Sequence, residues 1–198
     1  MKWILDPGHW GMVWGHYLWP GKQSPMVPPG IYEGEFNRDM CQRIHALDPA
    51  NTVITVPGPI NVPLRARIKF INKLSTVEDC ALLSIHANAA GRAGWNEAQG
   101  HAVFHSRTPL AASKRLAHTV STQLERAHYT SSRGVKKANF SIITYGHKRI
   151  LQAKIPAVLI EYEFMTNRHG AMMLADPDIR HRLAIATVIA MGEFEVSG

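Results

Sequence analysis

Short apolar runs alternate along this chain with longer segments in which apolar residues recur at helical spacing. The apolar runs, at residues 3–5, 53–56, 81–85, 102–104 and 157–160, predict β-strands. Strands that alternate with helices are typical of an α/β domain whose sheet is covered on both faces. The runs at 81–85 and 157–160 are continuously apolar, which favours central strands. The pattern predicts one α/β domain with a mostly parallel or mixed sheet of about six strands.

Three helices are predicted from apolar residues spaced three or four positions apart. Their marker residues are Leu64, Ile68, Ile71 and Leu74 for the first helix, Leu116, Val120 and Leu124 for the second, and Ile179, Leu183, Ala186 and Ala190 for the third. Proline is favoured at the first position of a helix, after a polar capping residue. Thr108 and Pro109 are therefore predicted to open the second helix, and Asp176 and Pro177 to open the third.

The chain of 198 residues carries 22 Lys and Arg against 15 Asp and Glu, a formal net charge of +7. A basic surface is attracted to polyanions such as nucleic acid, anionic membranes and the anionic polymers of a bacterial envelope. The basic residues are scattered, so the charge indicates an environment and predicts no nucleic-acid site. Cys41 and Cys80 lie among apolar neighbours and are predicted to be buried thiols.

The apolar stretches of the chain are short. The longest, at residues 183–191, is far below the roughly 20 residues that span a bilayer, so no membrane insertion is predicted. The first six residues become polar too early for a signal peptide. The sequence therefore predicts a protein that is made in the cytoplasm without an export signal.

Three chemically versatile side chains follow predicted strands directly. His9 comes shortly after the strand at 3–5, His86 follows 81–85, and Glu161 follows 157–160. Ligands of open α/β sheets gather at the carboxyl ends of the strands. Two histidines and a carboxylate suit Zn²⁺ and leave one position for a water, which a nearby carboxylate can deprotonate. Glu33 or Glu35 is the candidate for the third ligand.

Five segments, in order along the chain, resemble the zinc-dependent N-acetylmuramoyl-L-alanine amidases of the Amidase_3 type. They are ILDPGH at 4–9, EGEFN at 33–37, LRAR at 64–67 followed by Asn72, LSIHANA at 83–89, and IPAVLIE at 155–161 followed by Phe164 and Asn167. The SIHANA segment is the most specific of the five. Together they cover nearly the whole chain.

This resemblance implies a role for each residue of the site. It implies one zinc ion per chain, bound by His9, Glu33 and His86, with Glu161 as general base and then general acid. Glu33 is preferred to Glu35 because it keeps the family's four-residue step to Asn37. The implied reaction is hydrolysis of the amide bond between N-acetylmuramic acid and L-alanine in peptidoglycan.

The sequence departs from the family pattern at two positions and in one loop. Trp10 and Glu163 stand where the family usually has glycine. Because strand residues two apart point the same way, Glu163 is a second candidate for the base or an intruder in the site. Residues 10–32 predict a long loop in which Trp10, Trp14, Tyr17 and Trp19 form a wall for glycan sugars or pack on one another.

The whole chain, residues 1–198, is interpreted as a single catalytic amidase domain without a separate wall-binding domain. The expected partner is bacterial peptidoglycan, the expected state is a monomer, and the expected role is lysis of the cell wall, as in a phage endolysin. Two other functions remain open: a zinc peptidase that cuts the stem peptide, and a non-catalytic peptidoglycan-binding protein.

Overall fold

A mixed six-stranded sheet with helices packed on it forms the frame of the protein. The computed structural model describes residues 1–9, 11–14, 16–17, 23–25, 31–91, 94–127, 131–146 and 151–197, with only the backbone of Tyr17. The strands within this part of the chain are β1 (Lys2–Pro7), β2 (Met12–Val13), β3 (His16–Tyr17), β4 (Thr52–Ile54), β5 (Cys80–Asn88), β6 (His101–His105), β7 (Ser132–Lys137) and β8 (Ala157–Phe164). The helices are α1 (Glu33–Leu47), α2 (Leu64–Leu74), α3 (Ala111–Arg126), α4 (Arg168–Ala175) and α5 (Pro177–Val196). The predicted fold class is confirmed.

The order of the strands in the main sheet is β4-β1-β5-β8-β6-β7. The first four of these strands run parallel to one another, while β6 runs antiparallel to β8 and parallel to β7. The carboxyl ends of β1, β5 and β8 therefore lie side by side at one edge of the sheet. This edge is where the sequence places His9, His86 and Glu161.

Each face of the sheet is covered by its own apolar cluster. One cluster packs β1, β5 and β8 against α1, α3 and α5, and includes Trp3, Phe36 and Tyr162. The other packs Ile4, Leu82 and their neighbours against α2 and against Ile142, Ile143, Leu151 and Ala153. Both cysteines are buried and free, as predicted. The sheet is thus fixed from both sides, which makes its edge a rigid support for polar side chains.

The first strand and the last helix of the described chain meet at the amino end of β1. The indole nitrogen of Trp3 donates to Glu195 near the end of α5, at 2.7 Å, and the ring of Phe194 packs edge-on against that of Trp3. The amino group of Met1 lies 3.9 Å from the same carboxylate. No helix of the described residues is long and apolar enough to cross a membrane.

The helix starts confirm one sequence prediction and correct another. Asp176 caps α5, since its carboxylate accepts from the backbone N–H groups of Asp178 and Ile179, and Pro177 is the first helical residue. The predicted start at Thr108 and Pro109 is wrong, because α3 begins at Ala111 after Leu110 and has no side-chain cap. Thr108 instead bonds Ser106, whose hydroxyl accepts from the Thr108 N–H.

Candidate metal centre and active site

The turn after β1 brings the backbone against the ring of His86. The N–H of Gly8 donates to the carbonyl of Ile85 at 2.9 Å, which continues the pairing of β1 with β5. A Cβ built on Gly8 would overlap the imidazole of His86. His9 follows with φ of 61°, in the left-handed region, and Asn37 donates to the carbonyl of Gly8 at 3.0 Å. The missing side chain of Gly8 therefore makes the space that His86 occupies.

Replacing Gly8 with alanine is expected to displace the ring of His86 and to lower the hydrolytic activity that the sequence predicts by up to about 10²-fold, the loss that a misplacement of about 1 Å can cause. The rate of release of soluble fragments from purified cell walls measures the effect. Gly192 in α5 is the matched control, because a Cβ there meets nothing within 4 Å. Gly192→Ala should leave the rate unchanged. Full activity of Gly8→Ala would contradict the packing argument.

Glu33, the first residue of α1, lies between the two histidines. Its Oε1 atom is 3.1 Å from Nε2 of His9 and 3.1 Å from Nδ1 of His86, and the residue is 2% exposed. Burial raises the pKa of this carboxyl, but the hydrogen bonds to His86 and His9 outweigh it and bring the pKa to about 2. The carboxylate is therefore ionised at neutral pH. Burial lowers the pKa of His86, which favours its neutral ring.

The three side chains form a group that is suited to a cation. One ligand atom from each of His9, Glu33 and His86 lies within 4.8 Å of the other two. Neutral imidazole and carboxylate are the ligand types of catalytic zinc sites, which keep a position open for water or substrate. The donor set therefore fits a zinc ion, and its role as ligand set stays a prediction.

Glu35, the alternative third ligand, is engaged elsewhere. Its carboxylate accepts two hydrogen bonds from the guanidinium of Arg180 in α5, at 2.8 and 3.2 Å. The same guanidinium also bonds Asp39, one turn farther along α1. Glu35 thus joins α1 to α5, and the structure brings Glu33 and not Glu35 to the two histidines.

Glu161 sits on β8 beside His86. The two residues are direct partners in the parallel pairing of β5 with β8, so their side chains leave the same face of the sheet. Neighbouring strands are about 4.8 Å apart, so the backbone of Glu161 lies beside that of His86. Glu161 is half-buried at this position.

Glu163, the second candidate for the base, is bound to the backbone. Its Oε1 accepts from the N–H groups of Gly100 at 2.6 Å and of Phe164 at 2.8 Å. The register of β5 and β8 shifts between His86 and Asn88, which interrupts the alternation that would give Glu161 and Glu163 one orientation. Burial raises the pKa of Glu163, and the two backbone hydrogen bonds oppose this rise. The residue anchors the segment that leads into β6.

Two further groups of residues at this edge were not predicted from the sequence. Ser84, two residues before His86 on β5, places its hydroxyl 3.2 Å from Nε2 of that histidine. The segment after β7 supplies Asn139, Phe140 and Ser141 to one wall of a cavity of about 430 Å³ beside the cluster. Residues 61–64, before and within α2, line the same cavity. The alternation of side chains along β5 could have identified Ser84, because it points the same way as His86. No local sequence pattern marks the loop at residues 139–141.

Other sequence candidates have structural roles or lie outside the described residues. Trp14 is 95% exposed beside the β2–β3 hairpin, which replaces part of the predicted loop with two short strands. Trp10, Trp19 and the Tyr17 side chain are outside the described part of the chain. Asn72 accepts from the backbone N–H groups of Gln152 and Ala153, so it fixes the backbone of these two residues against α2.

A family model and a curated relative both match most of this chain. The model of the family described as N-acetylmuramoyl-L-alanine amidase matches residues 4–193. The chain is 31% identical over 190 residues to N-acetylmuramoyl-L-alanine amidase LytC of Bacillus subtilis, covering 92% of this chain and 33% of that protein. The chain thus spans about a third of the length of this curated relative.

Two solved structures share the fold over nearly their full length. The N-acetylmuramoyl-L-alanine amidase of Clostridium difficile 630 superposes with a TM-score of 0.81 at 22% identity, over 99% of this chain and 97% of that one. The catalytic domain of the amidase CwlV of Bacillus (Paenibacillus) polymyxa gives a TM-score of 0.79 at 22% identity, over 100% of both chains. These likenesses show that the six-stranded sheet and its helices form the fold of an amidase catalytic domain.

Proposed function

Since this chain belongs to the N-acetylmuramoyl-L-alanine amidase family, we propose that it hydrolyses the amide bond between N-acetylmuramic acid and L-alanine in bacterial peptidoglycan. One observation supports this function above all. His9, Glu33 and His86 converge at the sheet edge, and Glu161 stands beside them on the neighbouring strand. Such a set serves the hydrolysis of a bond as unreactive as an amide.

We propose that the ligand group holds one zinc ion per chain. When bound, zinc would supply Lewis acidity, which polarises the amide carbonyl and makes a water molecule more acidic. His9 and His86 contribute neutral nitrogen ligands, and Glu33 contributes the carboxylate that partly neutralises the charge. Because Glu33 has a pKa of about 2, it is ready to bind a cation over the whole physiological pH range.

Glu161 moves the proton in this proposal. Its carboxylate takes a proton from the attacking water, whose oxygen forms the new bond to the carbonyl carbon. The carbon–nitrogen bond then breaks, and Glu161 returns the proton to the departing nitrogen of L-alanine. The products are the free lactyl carboxylic acid of the sugar and the free amino group of the peptide. Atoms and charge balance with one water consumed for each bond cut.

The cavity next to the ligand group is proposed to bind the substrate beside the scissile bond. Its walls combine apolar side chains, such as Val62, Leu64 and Phe140, with the polar Asn139 and Ser141. A volume of about 430 Å³ accommodates a few residues of peptide or one sugar. The partly exposed rings and aliphatic chains at its mouth are suited to the apolar faces of such groups.

A biological role as a lytic enzyme follows as part of the same proposal. The net charge of +7 attracts the protein to the anionic polymers of a bacterial envelope. We propose a monomeric, endolysin-like enzyme that is made in the cytoplasm of a bacterium and acts on the cell wall. Loss of turbidity of purified walls after addition of the protein tests this role.

Mass spectrometry of digested muropeptides tests the reaction. New free amino groups on L-alanine, which disappear when a chelator removes the metal, are the expected result. Free amino groups on other residues of the stem would indicate the zinc peptidase instead. Tight wall binding without any cleavage would indicate the non-catalytic protein.

A further inference from the structure

A network of buried polar groups reaches Nε2 of His86, the ring nitrogen that does not contact Glu33. At its centre is Asp6 on β1, which is 1% exposed. Its carboxylate accepts from the hydroxyl of Thr55 at 2.6 Å, from the guanidinium of Arg67 at 2.9 Å and from the hydroxyl of Ser84 at 3.3 Å. Ser84 in turn contacts Nε2 of His86. This network thus joins the ion pair of Asp6 and Arg67 to Nε2 of His86, one of the predicted zinc ligands.

The buried ion pair itself needs an explanation. Removing two charges from water is unfavourable, and a buried ion pair is weak evidence for stability. Arg67 is fixed further by a hydrogen bond to the carbonyl of Pro7 at 3.0 Å. The arrangement holds an ionised carboxylate in one position, at hydrogen-bond distance from the hydroxyl that contacts His86. A functional role of the Ser84 hydroxyl would explain why the unfavourable burial of this ion pair is retained.

The single proton of the Ser84 hydroxyl has two acceptors within reach. If Ser84 donates to Nε2 of His86, the ring carries its proton on Nδ1, which donates to Glu33 at 3.1 Å. If Ser84 donates to Asp6, Nε2 carries the proton and donates to Ser84. The lone pair of Nδ1 then faces Glu33 and His9. The ring has one proton in both arrangements, so no group changes its charge.

We propose that Asp6 and Ser84 are positioning residues that hold His86 in the tautomer with its lone pair on Nδ1, the tautomer that binds the metal. This inference rests on the proposed function, because only a cation in the ligand group makes that tautomer necessary. Glu33 alone favours the opposite tautomer, since a carboxylate attracts the Nδ1 proton. The anionic Asp6 attracts the Ser84 proton away from His86. This lowers the free energy needed to move the ring proton of His86 from Nδ1 to Nε2.

The arrangement follows a general feature of metal sites. A histidine ligand usually donates its second ring N–H to a carboxylate or carbonyl, which fixes the tautomer and raises the basicity of the ligand nitrogen. Here the hydroxyl of Ser84 stands between the histidine and the carboxylate. Loss of such an outer partner lowers metal affinity by about 10- to 100-fold.

Zinc affinity of the full chain, measured by competition with a chelator, tests the proposal. Ser84→Ala is expected to bind zinc about 10- to 100-fold more weakly than the wild type. Thr55→Val is the matched control, because Thr55 bonds the same carboxylate through its other oxygen. This variant should stay within about threefold of the wild type in zinc affinity. Circular dichroism checks that both variants fold.

Nitrogen NMR of the zinc-loaded wild type gives a second measurement that needs no variant. The expected spectrum shows His86 protonated on Nε2 and metal-bound through Nδ1. A proton on Nδ1 overturns the inference, as does a Ser84→Ala variant with unchanged affinity or an equal loss in both variants. A wild type that binds no zinc overturns the proposed metal site as well. A wild type that binds zinc while Ser84→Ala matches it overturns the positioning role alone.

Discussion

Glu161→Gln is expected to lower the rate of amide cleavage by about 10²- to 10⁴-fold while leaving zinc content and fold intact. The amide of glutamine is nearly the same size as the carboxylate but cannot accept a proton from water. Glu161 pairs directly with His86 across β5 and β8, so the substituted side chain stays beside the ligand group. The rate of appearance of free L-alanine amino groups from purified walls measures the loss, and elemental analysis measures the zinc.

Glu163→Gln is the matched control for this experiment. Its remaining oxygen can still accept from the N–H groups of Gly100 and Phe164, so the loop before β6 should keep its place. We expect nearly full activity from this variant. An inactive Glu163→Gln together with an active Glu161→Gln would show that the base had been assigned to the wrong carboxylate.

Glu33→Ala is expected to abolish stoichiometric zinc binding and, with it, the activity. Glu33 supplies the only carboxylate oxygen of the ligand group that the structure describes, and this oxygen lies 3.1 Å from both histidine nitrogens. Loss of an outer-shell partner alone weakens metal binding by about 10- to 100-fold, and loss of a ligand should exceed that. Elemental analysis after dialysis gives the zinc-to-protein ratio.

The comparison variant for Glu33 is Glu35→Ala. Glu35 is 43% exposed and bonds Arg180, which keeps Asp39 and the carbonyl of Leu174 as partners. The substitution should cost about 1 kcal/mol of stability, as expected for an ion pair with one exposed partner, and should retain zinc and activity. Retention of zinc by Glu33→Ala, with loss in Glu35→Ala, would move the ligand to position 35.

The parts of the fold that were predicted from the sequence are those with strong apolar patterns. β5 and β8 are almost entirely buried, and their continuous apolar runs identify them as central strands. β7, with the sequence SRGVKK, was missed because an edge strand with exposed faces has no alternation to detect. The start of α3 was misplaced because Ser106 accepts from the N–H of Thr108 in a turn before the helix, and Asn139, from the segment after β7, accepts from the N–H of Arg107.

Some residues of the site could likewise be predicted from the sequence, and others could not. His9, His86 and Glu161 follow from one rule, that functional residues of an α/β sheet lie at the carboxyl ends of its strands. Glu33 required the family resemblance, because a glutamate at the start of a helix is favoured by the helix dipole without any function. The alignment of Ser84 with Asp6 depends on the register of β1 with β5, where they are direct partners. Pairing of this kind over 78 residues has no signal in a single sequence.

The meeting of the first and last elements beside Trp3 has a practical consequence for attachment. The contact of Trp3 with Glu195 lies at the amino end of β1, whereas the ligand group lies beyond its carboxyl end. The six residues of β1 separate these two levels by roughly 17 Å. A fusion partner or an immobilising tether at either end of this chain would therefore leave the ligand group facing away from the point of attachment. Immobilised on a bead through either end, the enzyme should reach soluble muropeptides equally well.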